Sequence, residues 1–446
     1  MNVKLTKITV YIFVSFFSIL INCAPHIDKD RHYISNGLLE KIGDGLPSDA
    51  GEPGQLPDNV TLADGLTREE AVAIALWNNA RFQADLAQLG LAKADLIQAG
   101  MITNPVFSYL FPWGPKQLEA TLSLPIEVLW QRPYRVAMAK LNASQVAESL
   151  LQSGLDLVLE VQTAYVDLWL AEKLAAITQE ESVLQKEVAD IAESRLRLGD
   201  ISELEATAIR LEAAWAEENA ITHRQQAQLA AIHLKTILGF ILQDVEFDLT
   251  PQAISYNEPS SINDLLALAY AARPDLRAAE LSIESAGKKL GWERSQIYNF
   301  TAVLDANGQG TEGFEMGPGM KFDVPLLNWN QGGRARATAE LEEAVKLYLV
   351  KKEQITQNVL KAHADYQASY QILSLLSSKN LPAAIRASKN AENAYLLGEL
   401  SYLELLVFKR QVLSIRVREA DAAATFEIAD AQLSHAIGFS PQSGMK

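Results

Sequence analysis

The second half of this chain repeats the first, at a spacing of about 194 residues near the start and about 200 further on. Ala75-Leu76 and Asn79-Ala80-Arg81-Phe82 lie over Ala269-Tyr270 and Arg273-Pro274-Asp275-Leu276. Leu124-Pro125 and Gln131 then lie over Val324-Pro325 and Gln331. Leu198-Gly199-Asp200-Ile201-Ser202 meets Leu397-Gly398-Glu399-Leu400-Ser401, and Leu238-Gly239-Phe240 meets Ile437-Gly438-Phe439. A period this long is a duplicated half-protein and not a solenoid module. Whatever one half folds into, the other must fold into as well, and the slip in spacing marks loops of unequal length.

Helical periodicity dominates each half. Leu157, Val161, Ala164 and Leu168 step by four, three and four, as do Leu204, Ala208, Leu211 and Trp215. After Pro133 no proline, and no glycine except Gly154, interrupts the chain until Gly199. A single helix of about 65–70 residues, roughly 100 Å, is therefore expected after Pro125. Its counterpart runs from about Leu327 to Leu397, with Gly332-Gly333 near its start and Pro382 as an interior break. Helices from Ile201 and Ser401 return from the two turns, and helices of about 35 residues beginning near Thr67 and Ile262 complete each half. A coiled or barrel-like helical wall accommodates such lengths; a compact core does not.

Two short stretches in each half have period two. Leu118, Ala120, Leu122 and Leu124 alternate with Gln117, Glu119, Thr121 and Ser123, and Phe314, Met316, Pro318, Met320 and Phe322 alternate with Glu315, Gly317, Gly319 and Lys321. Each follows another strand-like stretch, Val106–Phe111 or Phe300–Asn307. The fold class is thus mainly α with a small β part. Two hairpins of about ten residues per strand suit a membrane barrel, but four strands cannot close one, and open edges are not tolerated in lipid. Several chains must pool their strands.

The start of the chain has its own logic. Lys4 and Lys7 precede an apolar run from Ile8 to Ile21, too short to span a bilayer, so residues 1–22 are expected to be a signal peptide. Cys23 is the only cysteine. It follows Leu20-Ile21-Asn22 in a segment that resembles a lipoprotein processing site, with Asn22 where a small residue is usual, and it is the expected lipidation residue. Residues 23–65, rich in Gly, Pro, Asp and Asn, are expected to form a tether with little regular structure.

With 55 acidic against 39 basic residues, the net charge of −16 offers no basic stripe for nucleic acid. His223, His233 and His363 have no partner at ligand spacing, and Walker, Gly-x-Ser-x-Gly and His-Glu-x-x-His motifs are missing. An enzyme, a resident metal and a cofactor are accordingly not expected.

The duplicated half, the strand-ending Pro125 and Pro325, and the turns Arg197-Leu198-Gly199-Asp200 and Tyr395-Leu396-Leu397-Gly398-Glu399 together resemble the TolC family of outer-membrane efflux proteins over roughly residues 66–440. That resemblance implies a homotrimer with a 12-stranded barrel in outer-membrane lipid and a helical tunnel across the periplasm. It further implies a passive conduit, opened by a periplasmic adaptor and an inner-membrane pump, for which the RND type is expected. It implies two structural repeats, 66–240 and 262–440, joined by an equatorial connection at 241–261 and followed by a short tail at 441–446. Gly199, Asp200, Gly398 and Glu399 are the expected tip turns and adaptor contacts. Glu205 and Glu404, six positions after the turn glycines, are expected at the periplasmic gate, with Arg197 and Tyr395 holding the closed state through interhelical hydrogen bonds. The competing reading of both glutamates is as helix-start carboxylates. Trp113, Trp130 and Trp329 are candidates for membrane interfaces. Ala99–Pro105 and Leu122–Pro125 look most similar to channels of heavy-metal-cation systems, which points to metal cations or small toxic compounds as cargo. A periplasmic coiled-coil adaptor and a type I protein-secretion channel are the alternatives.

Overall fold

The computed structural model describes residues 26, 28–47, 56–57, 60–62, 64–111, 113, 118–240, 246–250, 261–308 and 313–439. Cys23, the signal segment, most of the 241–261 connection and the tail after 439 lie outside these residues. The chain divides into two compact units. One comprises Met1–Ile34, Asp85–Leu150 and Pro274–Glu353, and the other comprises Ser35–Ala84, Leu151–Arg273 and Gln354–Lys446.

The first unit holds all four strands: β1 (Val106–Leu110), β2 (Leu118–Pro125), β3 (Phe300–Gly308) and β4 (Phe314–Phe322). The two hairpins join through β2 and β3 into one antiparallel sheet of order β1-β2-β3-β4. β1 has only five residues, shorter than the sequence suggests.

Eleven helices account for most of the remaining described residues. They are α1 (Arg31–Ile42), α2 (Arg68–Asn78), α3 (Ala80–Leu86), α4 (Gln88–Gly100), α5 (Val128–Arg197), α6 (Glu203–Ile237), α7 (Ile262–Ala272), α8 (Pro274–Ser295), α9 (Gln331–Leu375), α10 (Leu381–Leu396) and α11 (Tyr402–Ile437). The expected long helix after Pro125 is α5, continuous over 70 residues with Pro133 tolerated near its start. The second repeat departs from the first, because a π-turn over Leu376–Asn380 separates α9 from α10 immediately before Pro382. The expected rising helices near Thr67 and Ile262 are not continuous either: they break at Asn79 and Arg273.

Those breaks explain how each return helix ends. Asn79 donates Nδ2 to the Ile237 carbonyl, 3.0 Å away, and Arg273 donates Nη1 to the Ala436 carbonyl at 3.1 Å. Each satisfies a C-terminal carbonyl that its helix cannot. Gly239 and Gly438 follow at φ +80° and +79°, and a Cβ at Gly239 would lie 2.7 Å from the Asn78 carbonyl oxygen. Helix break and helix end are therefore one joint, made twice.

The tether also needs correction within 31–42. Its surrounding Gly/Pro content hides the apolar pair Ile34 and Leu38, which are completely buried in α1. In the second unit Leu38 fits over Gly154 of α5, where an added Cβ would lie 2.9 Å from its Cδ2. Lys41 donates Nζ to the Ala272 carbonyl at 2.6 Å and sits 4.3 Å over the Phe439 ring. Burying two aliphatic side chains contributes about 1.5–3 kcal/mol each, enough to hold the segment as a helix.

An apolar-faced sheet and a capped helical tip

Strand register sorts the sheet into two faces. Tyr109 is opposite Ala120, Ala120 opposite Ala306, and Ala306 opposite Met316; Phe107, Leu122, Leu304 and Pro318 form the next such row. One face is thus apolar across all four strands. Phe107 is 64% exposed and Met316 66%, so it is also uncovered in a single chain. Opposite it lie Glu119, Thr121, Asp305, Asn307, Glu315 and Lys321, with the Thr121 hydroxyl donating to Asp305 at 2.8 Å. No helix among the described residues is long and apolar enough to cross a membrane.

Aromatic rings collect at both ends of the apolar face. At the helical end Trp130 meets Phe300 edge-on at 5.6 Å, and Phe300 meets Phe322 at 6.0 Å and Tyr298 at 6.5 Å. Towards the hairpin turns Phe107, Tyr109 and Phe111 follow one another, with Tyr109 and Phe111 at 4.8 Å. Two aromatic bands bounding an apolar face are what a bilayer-spanning strand set requires. Trp113 and Trp329 are exposed beyond the strand ends. The Tyr298, Phe300 and Phe322 group had no signal in alternation alone, because only strand register brings its members together.

In the second unit the two turns are built identically from helix caps. Gly199 and Gly398 adopt φ +80° and +77°, with open space around them, so glycine is required there by backbone conformation alone. Gly199 and Asp200 donate their N–H groups back to Leu196 and Arg195, at 2.9 Å each, and Gly398 and Glu399 donate to Tyr395 and Ala394 at 3.0 and 2.9 Å. This double bond pattern closes α5 and α10. Ser202 and Ser401 then open α6 and α11 with capping boxes completed by Glu205 and Glu404. The Glu205 carboxylate accepts from the Ser202 N–H at 2.8 Å, and that of Glu404 from the Ser401 N–H at 2.8 Å. Hydrogen bonds from Ser202 and Ser401 hold both carboxyls below the usual glutamate range.

The expected gate residues are therefore all at the tip but not all joined. Glu205 and Glu404 close their own helix starts, which is the helix-start reading in structural form. Arg197 bonds to Ser194 of its own helix at 3.2 Å, not to another helix. Tyr395 packs against Tyr402 at 5.5 Å, and it is Tyr402, not singled out from sequence, whose hydroxyl feels the charge of Glu187 of α5. Burial first, and then Glu187, raises the Tyr402 hydroxyl above its ordinary pKa. Leu198 and Leu204 are 78% and 80% exposed, and Leu396 and Leu397 are similarly bare.

Residues 265–439 match the family model described as outer membrane efflux protein. The cobalt-zinc-cadmium resistance protein CzcC of Cupriavidus metallidurans is 24% identical over 371 residues, covering 80% of this chain and 86% of that protein. Among solved structures, the outer membrane protein VceC of Vibrio cholerae superposes with a TM-score of 0.68 at 17% identity, covering 84% of this chain and 96% of its own. CusC, whose structures concern folding and transmembrane channel formation, gives 0.67 at 16% identity, covering 90% and 99%. The match to the outer membrane efflux protein model falls in the second repeat, and the fold shared with VceC and CusC extends through both repeats.

Proposed function

We propose that three copies of the chain form the outer-membrane channel of a tripartite efflux system that exports metal cations. The open sheet carries this reading. Its apolar face is exposed on every strand, and among the described residues β1 and β4 each have one partner strand. In lipid such edges must be closed, and three sets of four strands make a twelve-stranded barrel. A periplasmic adaptor meets the tip at the bare Leu198, Leu204, Leu396 and Leu397, beside Asp200 and Glu399, and an RND-type pump supplies the energy. Metal cargo is supported by the likeness to a cobalt-zinc-cadmium resistance protein. Glu205 and Glu404, kept ionised by their caps, supply fixed negative charge at the gate.

A lipid on Cys23 fits the same arrangement. Asp28 pairs with Lys140 at 3.4 Å, and Lys29 pairs with Glu148. The chain five residues beyond Cys23 is thus already held on α5, about 18 Å along that helix from Val128.

Outer-membrane fractions run on gels without boiling should show an oligomer that collapses to monomer on heating, and Cys23→Ser should loosen membrane association. A soluble monomer would sink the channel reading. Glu404→Gln isolates charge, because glutamine also completes a capping box. Cation preference in planar bilayers should fall in this variant; unchanged selectivity would remove Glu404 from the gate. Cells lacking the protein should become sensitive to zinc, cobalt or cadmium salts, and unaltered growth in all three would refute the cargo assignment.

A further inference from the structure

The sheet ends in two backbone edges, and strand register fixes which residues line them. Ile126 donates its N–H to the Phe300 carbonyl at 2.9 Å, and Asp323 donates to that of Asn299 at 3.3 Å. Hydrogen-bonded pairs alternate along an antiparallel ladder, so the even-numbered residues of β3 bond to β2 and the odd-numbered ones to β4. On β4 this turns the N–H and C=O groups of Phe314, Met316, Met320 and Phe322 away from β3, and Pro318 among them has a carbonyl but no N–H. On β1 the same alternation joins Val106, Ser108 and Leu110 to β2 and turns Phe107 and Tyr109 to the outer edge. Both edges therefore present their hydrogen-bonding groups at residues of the apolar face.

Two such edges can zip together in few registers. β1 and β4 run antiparallel, and the stagger between chains must be even, because an odd one turns the apolar residues of one chain into the polar face of the next. Followed straight across the sheet, Phe107 is level with Leu122, Leu304 and Pro318. Pairing a second copy at that level gives strands without tilt and sets the Phe107 carbonyl against Pro318, which has no N–H for it. Strands of closed barrels tilt by about 35–45°, and with the apolar face outward their right-handed coil slides β1 towards the C-terminal end of the neighbouring β4. With strands about 4.8 Å apart and residues about 3.4 Å apart, a slide of about two residues per chain tilts the strands by only about 20° and sets Tyr109 against Pro318. A slide of about four residues gives about 35°. One of about six gives about 47° and carries Phe107 past the end of β4 at Phe322.

We propose that copies of this chain join edge to edge in a single register, with Phe107 opposite the partner's Phe322 and Tyr109 opposite the partner's Met320. Two residues that cannot donate bound this seam. The partner's Pro318 falls opposite Phe111, just after β1, and Pro105, just before β1, falls beyond the partner's Phe322. An exposed strand edge is otherwise a template for pairing at any level, and proline is a means of restricting it. On the polar face Ser108 then stands opposite the partner's Lys321, as a non-hydrogen-bonded pair. The inference rests on the three-chain barrel proposed above and adds the register in which it closes.

Non-hydrogen-bonded pairs bring Cα atoms to about 4.5 Å, within disulfide range. The test therefore oxidises outer-membrane fractions of the full-length protein with copper phenanthroline and reads covalent oligomers on boiled, non-reducing gels. S108C combined with K321C should give severalfold more covalent dimer and trimer than S108C combined with G317C, G319C or D323C. Strongest crosslinking at any of those three positions overturns the register, and so does equal crosslinking by S108C or K321C alone. An oligomer that persists without boiling but crosslinks in none of the pairs overturns edge-to-edge joining. Absence of any oligomer overturns the channel reading itself. Proline substitution reads the same seam without cysteines. M320P removes the donor that faces the Tyr109 carbonyl and should deplete the unboiled oligomer severalfold, whereas M316P, level with a position beyond the end of β1, should leave it intact. Equal depletion by both overturns the upper bound of the seam at Pro318.

Discussion

Several side chains have consequences that can be worked out singly. Burial pushes Asp430 of α11 up to about 6, with Arg68 opposing the rise and Glu427, which holds Arg68 at 2.8 Å, adding to it. The folded state therefore binds this proton more tightly than the unfolded chain does. Its contribution is favourable at low pH and is lost as pH rises through about 6. Asp430→Asn should raise the melting temperature at alkaline pH and hardly change it near pH 4; an equal shift at both would refute the assignment. Asp156 of α5 has the opposite sign, since the His435 ring at 2.6 Å and Gln152 hold its carboxyl below the usual range against the effect of burial. Its contribution is present at neutral pH and is lost as pH falls through that depressed value. His435→Ala should therefore shift the acid limb of a pH–stability curve towards neutral, which thermal melts from neutral pH downward would detect.

At the scale of elements, the four helix-ending glycines separate conformational strain from steric clash. Gly199→Ala meets nothing within 4 Å, so its cost is the left-handed backbone alone, about 1–2 kcal/mol. Gly239→Ala has the same φ and must also push aside Asn78, whose carbonyl oxygen would be 2.7 Å away. Denaturant titration should rank Gly239→Ala as clearly the more destabilising, and equal losses would show that the joint between α2 and α6 yields. The turns were legible in the sequence because Leu-Gly-Asp/Glu followed by Ser-x-x-Glu spells a helix end and a helix start in eight residues. Helix α1 was not, because Leu38 acquires meaning only against Gly154, more than 100 residues away along the chain.

For the whole molecule, the critical test is which face of the sheet meets lipid. Met316→Arg places a charge on the apolar face and should cost about 2–4 kcal/mol if that position lies at mid-bilayer, enough to deplete the oligomer in outer-membrane fractions. Glu315→Gln, one residue away on the opposite face, should leave assembly intact, and equal depletion by both would contradict the face assignment. The amino-acid sequence by itself determined everything local or periodic: the duplication, the length of α5, the alternating strands, and the tip turns with their caps. Those features depend on residues close in the chain, where period and cap chemistry are explicit. Only the tertiary structure decided that the two hairpins share one sheet through β2 and β3, that aromatic rings from distant segments form bands at its ends, and that the two long helices differ by a π-turn. It also decided that Tyr402 and Arg410 of the second repeat lie against the first, whereas Arg197 bonds within its own helix. The shared sheet and the contacts of Tyr402 and Arg410 depend on surfaces brought within a few ångströms of one another across more than 170 residues of chain, and no local pattern encodes that distance.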